Sequence, residues 1–157
     1  MTKLRFLVSL ITQDNDYQME QAAAAKAAAG ELGVEAQIVY ADNDPITQST
    51  QVLRAIQTEP SLRPSGILIE PLGATSFPQV AGAAASAGIG WAVLSRQAEY
   101  AVELRKTTRS PVFSVSADQV EVGRIQARQV VARNTRSQDQ ADGFCIQAAC
   151  HEGEDLR

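Results

Sequence analysis

Short apolar runs alternate with longer helix-like stretches along most of this 157-residue chain. "LRFLVSLI" (4–11) is rich in branched residues and runs into polar "TQDND". "YQMEQAAAAKAAAGEL" (17–32) is dense in alanine, the strongest helix former, and Gly33 stands where a C-terminal helix cap belongs. "EAQIVYA" (35–41) predicts a second strand, ending in Asp42-Asn43-Asp44. Asp44 is placed to cap a helix that Pro45 opens, and Val52, Leu53 and Ile56 supply its apolar stripe. "GILIEP" (66–71) predicts a third strand, and "TSFPQVAGAAASA" (75–87) a helix with Pro78 in its first turn and Gly88 behind it. The run from Ile89 to Leu94 predicts a fourth strand. A charged excursion follows, to which the pattern assigns no element, and then "PVFSVS" (111–116) predicts a fifth strand. Asp118 with Glu121 three residues later resembles a capping box that opens a helix through "VEVGRIQARQVVA" (120–132).

Strands alternating with helices imply an α/β fold with a parallel sheet covered on both faces. Right-handed crossovers then favour a doubly wound five-stranded sheet in flavodoxin-like order. The nearly unbroken apolar runs suit strands buried on both sides. From Asn134 onward the rhythm is lost. Only 8 of the last 24 residues are hydrophobic, so 134–157 is expected to be a poorly packed or flexible tail.

Composition narrows the function classes. With 45% hydrophobic and 20% charged residues the chain suits one globular domain with a real core. Its net charge of −4 argues against a nucleic-acid partner. Arg124, Arg128, Arg133 and Arg136 are spread as on a solvated face. Lys3 and Arg5 precede too short an apolar run for an export signal, and no run reaches membrane-spanning length, so the chain as written is expected to stay in the cytoplasm. Cys145, Cys150 and His151 lack zinc-site spacing, and no metal or cofactor is expected.

In open α/β sheets, ligands bind beyond the carboxyl ends of the strands. Those ends carry Gln13, Asp14, Asn15, Asp16 and Tyr17 after the first strand, and Asp42, Asn43 and Asp44 after the second. They carry Glu70 after the third, Ser95, Arg96 and Gln97 after the fourth, and Ser116 and Asp118 after the fifth. Helix capping is the simpler role for Asp44 and Asp118, and Asn15 or Asp16 could cap the first helix. Enzyme readings fare poorly. There is no G-x-S-x-G and no Walker loop, the single histidine lies in the anomalous tail, and a phospho-receiver's lysine is missing where Val115-Ser116-Ala117 stands.

From residue 4 to residue 133 the chain resembles the N-terminal part of a type I periplasmic binding protein of the ribose-binding-like sugar group. It also resembles the effector domains of lactose-repressor-type regulators. The resemblance rests on "DNDYQMEQAAAAKAAAGELG", "YADNDPITQSTQVLRAIQ", "GILIEP", "WAVLSRQ" and "VSADQVEVGRIQA", in the family's order. It implies one lobe of a two-lobed binding protein over 1–117, a helix of the second lobe over 118–133, and an anomalous region over 134–157. It implies that Asn15 and Tyr17 contact a sugar, that Ser95-Arg96 stands where the family has an Asp-Arg pair, and that Asp118 lies at the crossing between lobes. Gln13, Asp16, Asn43 and Glu70 join these as candidates from the strand ends. The expected function is carbohydrate binding for an ABC-type importer, with a sugar and a membrane permease as partners, periplasmic residence and no enzyme activity. The alternatives are a cytoplasmic sugar-responsive regulator core and a stand-alone doubly wound enzyme. A lobe face that normally meets a partner implies self-association.

Overall fold

The computed structural model describes residues 3–73 and 77–137. It contains the elements β1 (Arg5–Leu10), α1 (Asp16–Leu32), β2 (Glu35–Tyr40), α2 (Pro45–Gln57), β3 (Gly66–Ile69), α3 (Phe77–Ser86), β4 (Gly90–Leu94), α4 (Glu99–Thr107), β5 (Val112–Val115) and α5 (Gln119–Ser137). The strands form one parallel sheet in the order β2-β1-β3-β4-β5, the flavodoxin-like order expected. The chain divides into two units, Met1–Ala117 and Asp118–Arg157.

Local chemistry starts and stops the first helices. Asn15 has extended backbone and its side chain accepts from Gln18 N, which opens α1. Gly33, at φ 66°, closes α1 as Val34 N donates to Ala29 O; a residue with a Cβ would be strained in that left-handed conformation. Asp44 caps α2 by accepting from Ile46 N and Thr47 N, with Pro45 at the first helical position.

The sheet's two faces are packed differently. On one, Leu7, Ile67, Ile69, Trp91, Val93 and Val112 meet Val52 and Ile56 of α2, Phe77, Val80, Ala81 and Ala84 of α3, and Ala101 of α4. On the other, Val8 and Leu10 meet Ala22 of α1, with Ile38, Tyr40 and Leu68 partly buried around them. Alanines let α1 approach this face closely. Its buried positions are Gln18, Ala22 and Ala29, one narrow stripe.

The charged excursion after β4 is a helix, α4. It has Glu99 in its first turn and Arg105 and Lys106 in its last, as the helix dipole favours. Ala101 is its one buried residue, with Tyr100 and Leu104 packed at the edge of the core. In the second unit, Asp118 caps α5 by accepting from Glu121 N. The capping box is half formed, because the Glu121 carboxylate turns forward to Arg124 at 3.3 Å. Helix α5 runs through Ser137, so the first four residues of the expected tail continue a helix. The rest of that expectation, 138–157 with Cys145, Cys150 and His151, lies outside the described residues.

Candidate functional site

Two buried glutamines set the shape of the rim at the carboxyl ends of the strands. On the α1 side, Gln18 is 2% exposed, accepts from Ile11 N at 2.8 Å and donates to Glu70 Oε2 at 2.6 Å. On the α2 side, fully buried Gln48 donates to Ser9 Oγ at 3.2 Å and to Glu70 O at 2.9 Å, and accepts from Leu72 N at 2.9 Å. Each amide uses both its donor and its acceptor, so neither pays the penalty of a buried unpaired polar group. Together they pin the ends of β1 and β3 and the first residues of the loops beyond. The loops are also tied to each other, because Asn43 N donates to Ile11 O at 3.0 Å.

Over this frame, Tyr17 reaches across the sheet. Its hydroxyl lies 2.9 Å from Ser95 Oγ, 78 residues away, and Gln21 Nε2 donates to both oxygens, at 3.0 and 3.1 Å. Ser95 sits in the left-handed region at φ 65°, and its backbone N donates to Val115 O. Such backbone is uncommon for a residue other than glycine, asparagine or aspartate, and it recurs at sites where the surrounding structure over-determines it. Tyr17 as a residue remains 56% exposed, with its hydroxyl held in the triangle of hydroxyls and amide.

The other expected residues fall as follows. Asn15 is exposed, with Oδ1 used as the α1 cap and its amide group left to donate elsewhere. Asp16 begins α1, exposed, and Gln13 is exposed in the loop before it. Asn43 is exposed at φ 61°, at the end of the edge strand β2. Glu70 is buried at 6% exposure, and Gln18 is the only described residue that hydrogen-bonds its carboxylate. Asp118 belongs to the second unit, where it serves as the α5 cap. Thus Tyr17 and Ser95 meet directly, with Gln21 between them, and Glu70 is linked to them through Gln18, whose Nε2 lies 3.5 Å from Gln21 Oε1. Gln18 and Gln21, with Gln48, are not among the residues that the sequence pattern singles out. Their only signal is position: each lies within the first two turns of a helix that follows a strand.

Arg96 is exposed and lines a separate concavity of about 390 Å³ with Pro71, Gly73, Phe77 and Tyr100. Burial raises the Tyr100 phenol above its ordinary range, against a smaller lowering by the Trp91 hydrogen bond, so it stays neutral near pH 7. Trp91 Nε1 donates to its oxygen at 3.2 Å, leaving the Tyr100 O–H free to donate. The arrangement therefore presents a cation, a neutral hydroxyl and an apolar wall on one side of β4, and an aromatic ring with a buried carboxylate on the other. No group of three or more acidic, histidine or cysteine residues that could hold a metal occurs among the described residues. No helix among them is long and apolar enough to cross a membrane.

Five parallel strands with five helices match one lobe of the periplasmic binding protein fold. The chain belongs to the periplasmic binding protein domain family, which matches residues 6–148. Among solved structures, an ABC transporter solute-binding protein from Mycobacterium smegmatis with bound glycerol is 26% identical over 62% of this chain and 32% of its own length, with a TM-score of 0.55. A Caulobacter myo-inositol-binding protein with bound myo-inositol is 19% identical over 83% of this chain and 40% of its own, TM-score 0.66. A periplasmic solute-binding protein from Actinobacillus succinogenes with bound D-allose is 16% identical over 83% and 44%, TM-score 0.70. The chain thus spans less than half the length of these structures. No match was found among curated protein sequences.

Proposed function

We propose that the chain supplies one wall of a carbohydrate site, as the substrate-binding component of an ABC-type sugar importer working in the periplasm with a membrane permease. The observation that carries this reading is the bridge from Tyr17 to Ser95. It holds an exposed tyrosine over the strand ends, with Arg96 as the next residue. An aromatic face suits the C–H groups of a sugar ring, and the planar Arg96 guanidinium can donate paired hydrogen bonds to neighbouring hydroxyl oxygens. The Asn15 amide adds a donor, and Glu70 is a carboxylate acceptor at the same rim. Ser95 offers a hydroxyl where an acid would offer a charged acceptor, so Glu70 becomes the charged acceptor of the cluster. Gln13, Asp16 and Asn43 line the outer loops, and Asp118, at the start of the second unit, marks where the lobe of 1–117 gives way to the helix of 118–133.

The bound ligands of the neighbouring structures, polyols and a hexose, support this reading. The solute-binding proteins among those neighbours favour a transport receptor over a regulator core.

Calorimetric titration with monosaccharides and cyclic polyols tests the proposal. A charge-assisted hydrogen bond contributes about 1.5–3 kcal/mol, so Arg96→Ala is expected to weaken the best ligand by about ten- to a hundredfold on a scale of about 1.4 kcal/mol per decade. Tyr17→Ala should weaken it as well. A change of less than twofold for Arg96→Ala would make this arginine a surface residue, and binding to no sugar or polyol would overturn the carbohydrate reading.

A further inference from the structure

The chain of polar groups beneath the rim has a direction, and its inner end sets it. Gln18 cannot be turned over. Its Oε1 accepts from Ile11 N at 2.8 Å, and its Nε2 donates to the Glu70 carboxylate, which only accepts, at 2.6 Å. Gln18 is 2% exposed, so a reversed amide would set a buried N–H against a buried N–H and an oxygen against an oxygen. Gln18 Nε2 also faces Gln21 Oε1 at 3.5 Å, a long contact that still opposes a reversed Gln21. Gln21 therefore keeps its oxygen inward and its nitrogen outward. That nitrogen donates to Tyr17 Oη at 3.0 Å and to Ser95 Oγ at 3.1 Å, which uses both its hydrogens.

The hydrogen count then fixes what the outer end offers. Tyr17 and Ser95 each carry one hydroxyl hydrogen, and one of these spans the 2.9 Å between their oxygens. A phenol is the stronger donor and an alcohol the stronger acceptor, so Tyr17 donates to Ser95. Ser95 Oγ then accepts twice, from Tyr17 and from Gln21, and both its lone pairs are filled. Its own hydrogen is the one left over and can only be donated outward. The side chains next to the pair in sequence have the same sense. Asn15 spends its Oδ1 on Gln18 N and keeps its amide hydrogens, and Arg96 has donors alone.

We propose that Gln21 is a positioning residue that sets the specificity of the rim. Through it the Tyr17–Ser95 pair acts as a donor, and the sugar that fits carries an oxygen without a hydrogen at that point, the carboxylate of a sugar acid. This specificity rests on the carbohydrate reading of the rim and narrows it. Glu70 is left to accept from hydroxyls elsewhere on the same sugar.

The test is a calorimetric titration of the 157-residue chain with D-glucuronate, its neutral methyl ester and D-glucose. At the sixth carbon these carry a carboxylate, an ester carbonyl and a hydroxyl. We expect glucuronate to bind at least about tenfold more tightly than glucose, and the ester at least about threefold more tightly, as one charge-assisted and one neutral hydrogen bond would give. The ester separates hydrogen-bond direction from charge, including that of the exposed Asp16. Gln21→Glu keeps the shape and still accepts from Gln18, but its carboxylate takes the hydrogens of Tyr17 and Ser95 and leaves lone pairs outward. It should bring the ester down to glucose or below while changing glucose itself by less than about threefold; damage to the fold would weaken both alike. Gln21→Met, which removes the directing amide without adding charge, should leave ester and glucose within about twofold of each other. An ester no tighter than glucose in the parent, or an ester preference that survives Gln21→Glu, would overturn the proposal alone. Failure of these probes and of every neutral sugar and polyol would overturn the carbohydrate reading, and the proposal with it.

Discussion

The two faces of the sheet teach different lessons about what a strand's side chains do. The face under α2, α3 and α4 is a continuous apolar core, in which Trp91 is 1% exposed and Phe77 is fully buried. On the α1 face the core is smaller, centred on Val8, Leu10 and Ala22. There the register sets Ala92 beside Phe113 and Leu94 beside Val115, and Phe113 and Val115 are 48% and 56% exposed. Yet it is this second face that carries Gln18, Tyr17 and Gln21, the helix side of the polar cluster. One face supplies stability and the other supplies the reach toward a ligand.

The largest expected effect breaks the comparison on its stable side. Trp91→Ala would empty a filled part of the core and should cost about 3–5 kcal/mol in denaturant unfolding. A loss below about 1 kcal/mol would show that the α2–α4 face is loosely packed. Next come the two glutamines. Gln48→Leu leaves Leu72 N and the Glu70 carbonyl without their partner, and should cost about 1–3 kcal/mol. Gln18→Leu should cost a similar amount and also weaken ligand binding, because it frees Ile11 N and the Glu70 carboxylate beneath the Asn15–Tyr17 turn. Equal effects of the two changes on binding would remove the distinction between the faces. Phe113→Ser should change monomer stability by less than about 1 kcal/mol, while lowering self-association seen by sedimentation across a concentration series. A parent chain that stays monomeric at every concentration would contradict that expectation.

The smallest effect concerns Asp44, at the start of α2. Hydrogen bonds from the Thr47 side chain, and then from Ile46 N and Thr47 N, hold its carboxyl below the ordinary carboxylate value. A folded pKa lower than the unfolded one means that the contribution is present in full above the unfolded value and is lost as pH falls through the folded one. Acid titration of stability should therefore show a slightly flatter profile for Asp44→Asn than for the parent. A steeper profile would assign the acid sensitivity to another group.

Much of this architecture is legible in the amino-acid sequence, for identifiable reasons. β1, β3 and β4 are short, mostly apolar runs, and Gly33, Asp44 and Pro45 punctuate the helices by local rules that need no tertiary context. Helix α4 is hidden because "EYAVELRKT" is mostly polar and buries one alanine, too little to register as a stripe. The site is legible only as a set of strand ends. That Tyr17 meets Ser95 depends on β1 and β4 lying on either side of β3, which the sheet order supplies and no local pattern does. Gln18 and Gln48 escape notice because glutamine reads as a surface residue, and its burial follows from the backbone groups it satisfies at strand ends. Asp118 illustrates the opposite case, a residue whose capping role is apparent from Glu121 three positions on.

The central claim is that the strand-end rim, and not another part of the lobe, receives a carbohydrate. Its most direct test is an amide NMR map of the labelled chain titrated with the best monosaccharide or polyol from the calorimetric screen. The account predicts that the largest shifts cluster at Gln13–Gln21, Glu70–Gly73 and Ser95–Tyr100, and that Arg96→Ala reduces them at equal ligand concentration. Shifts confined to the α4 surface, to the C-terminal half of α2 or to α5 would contradict it.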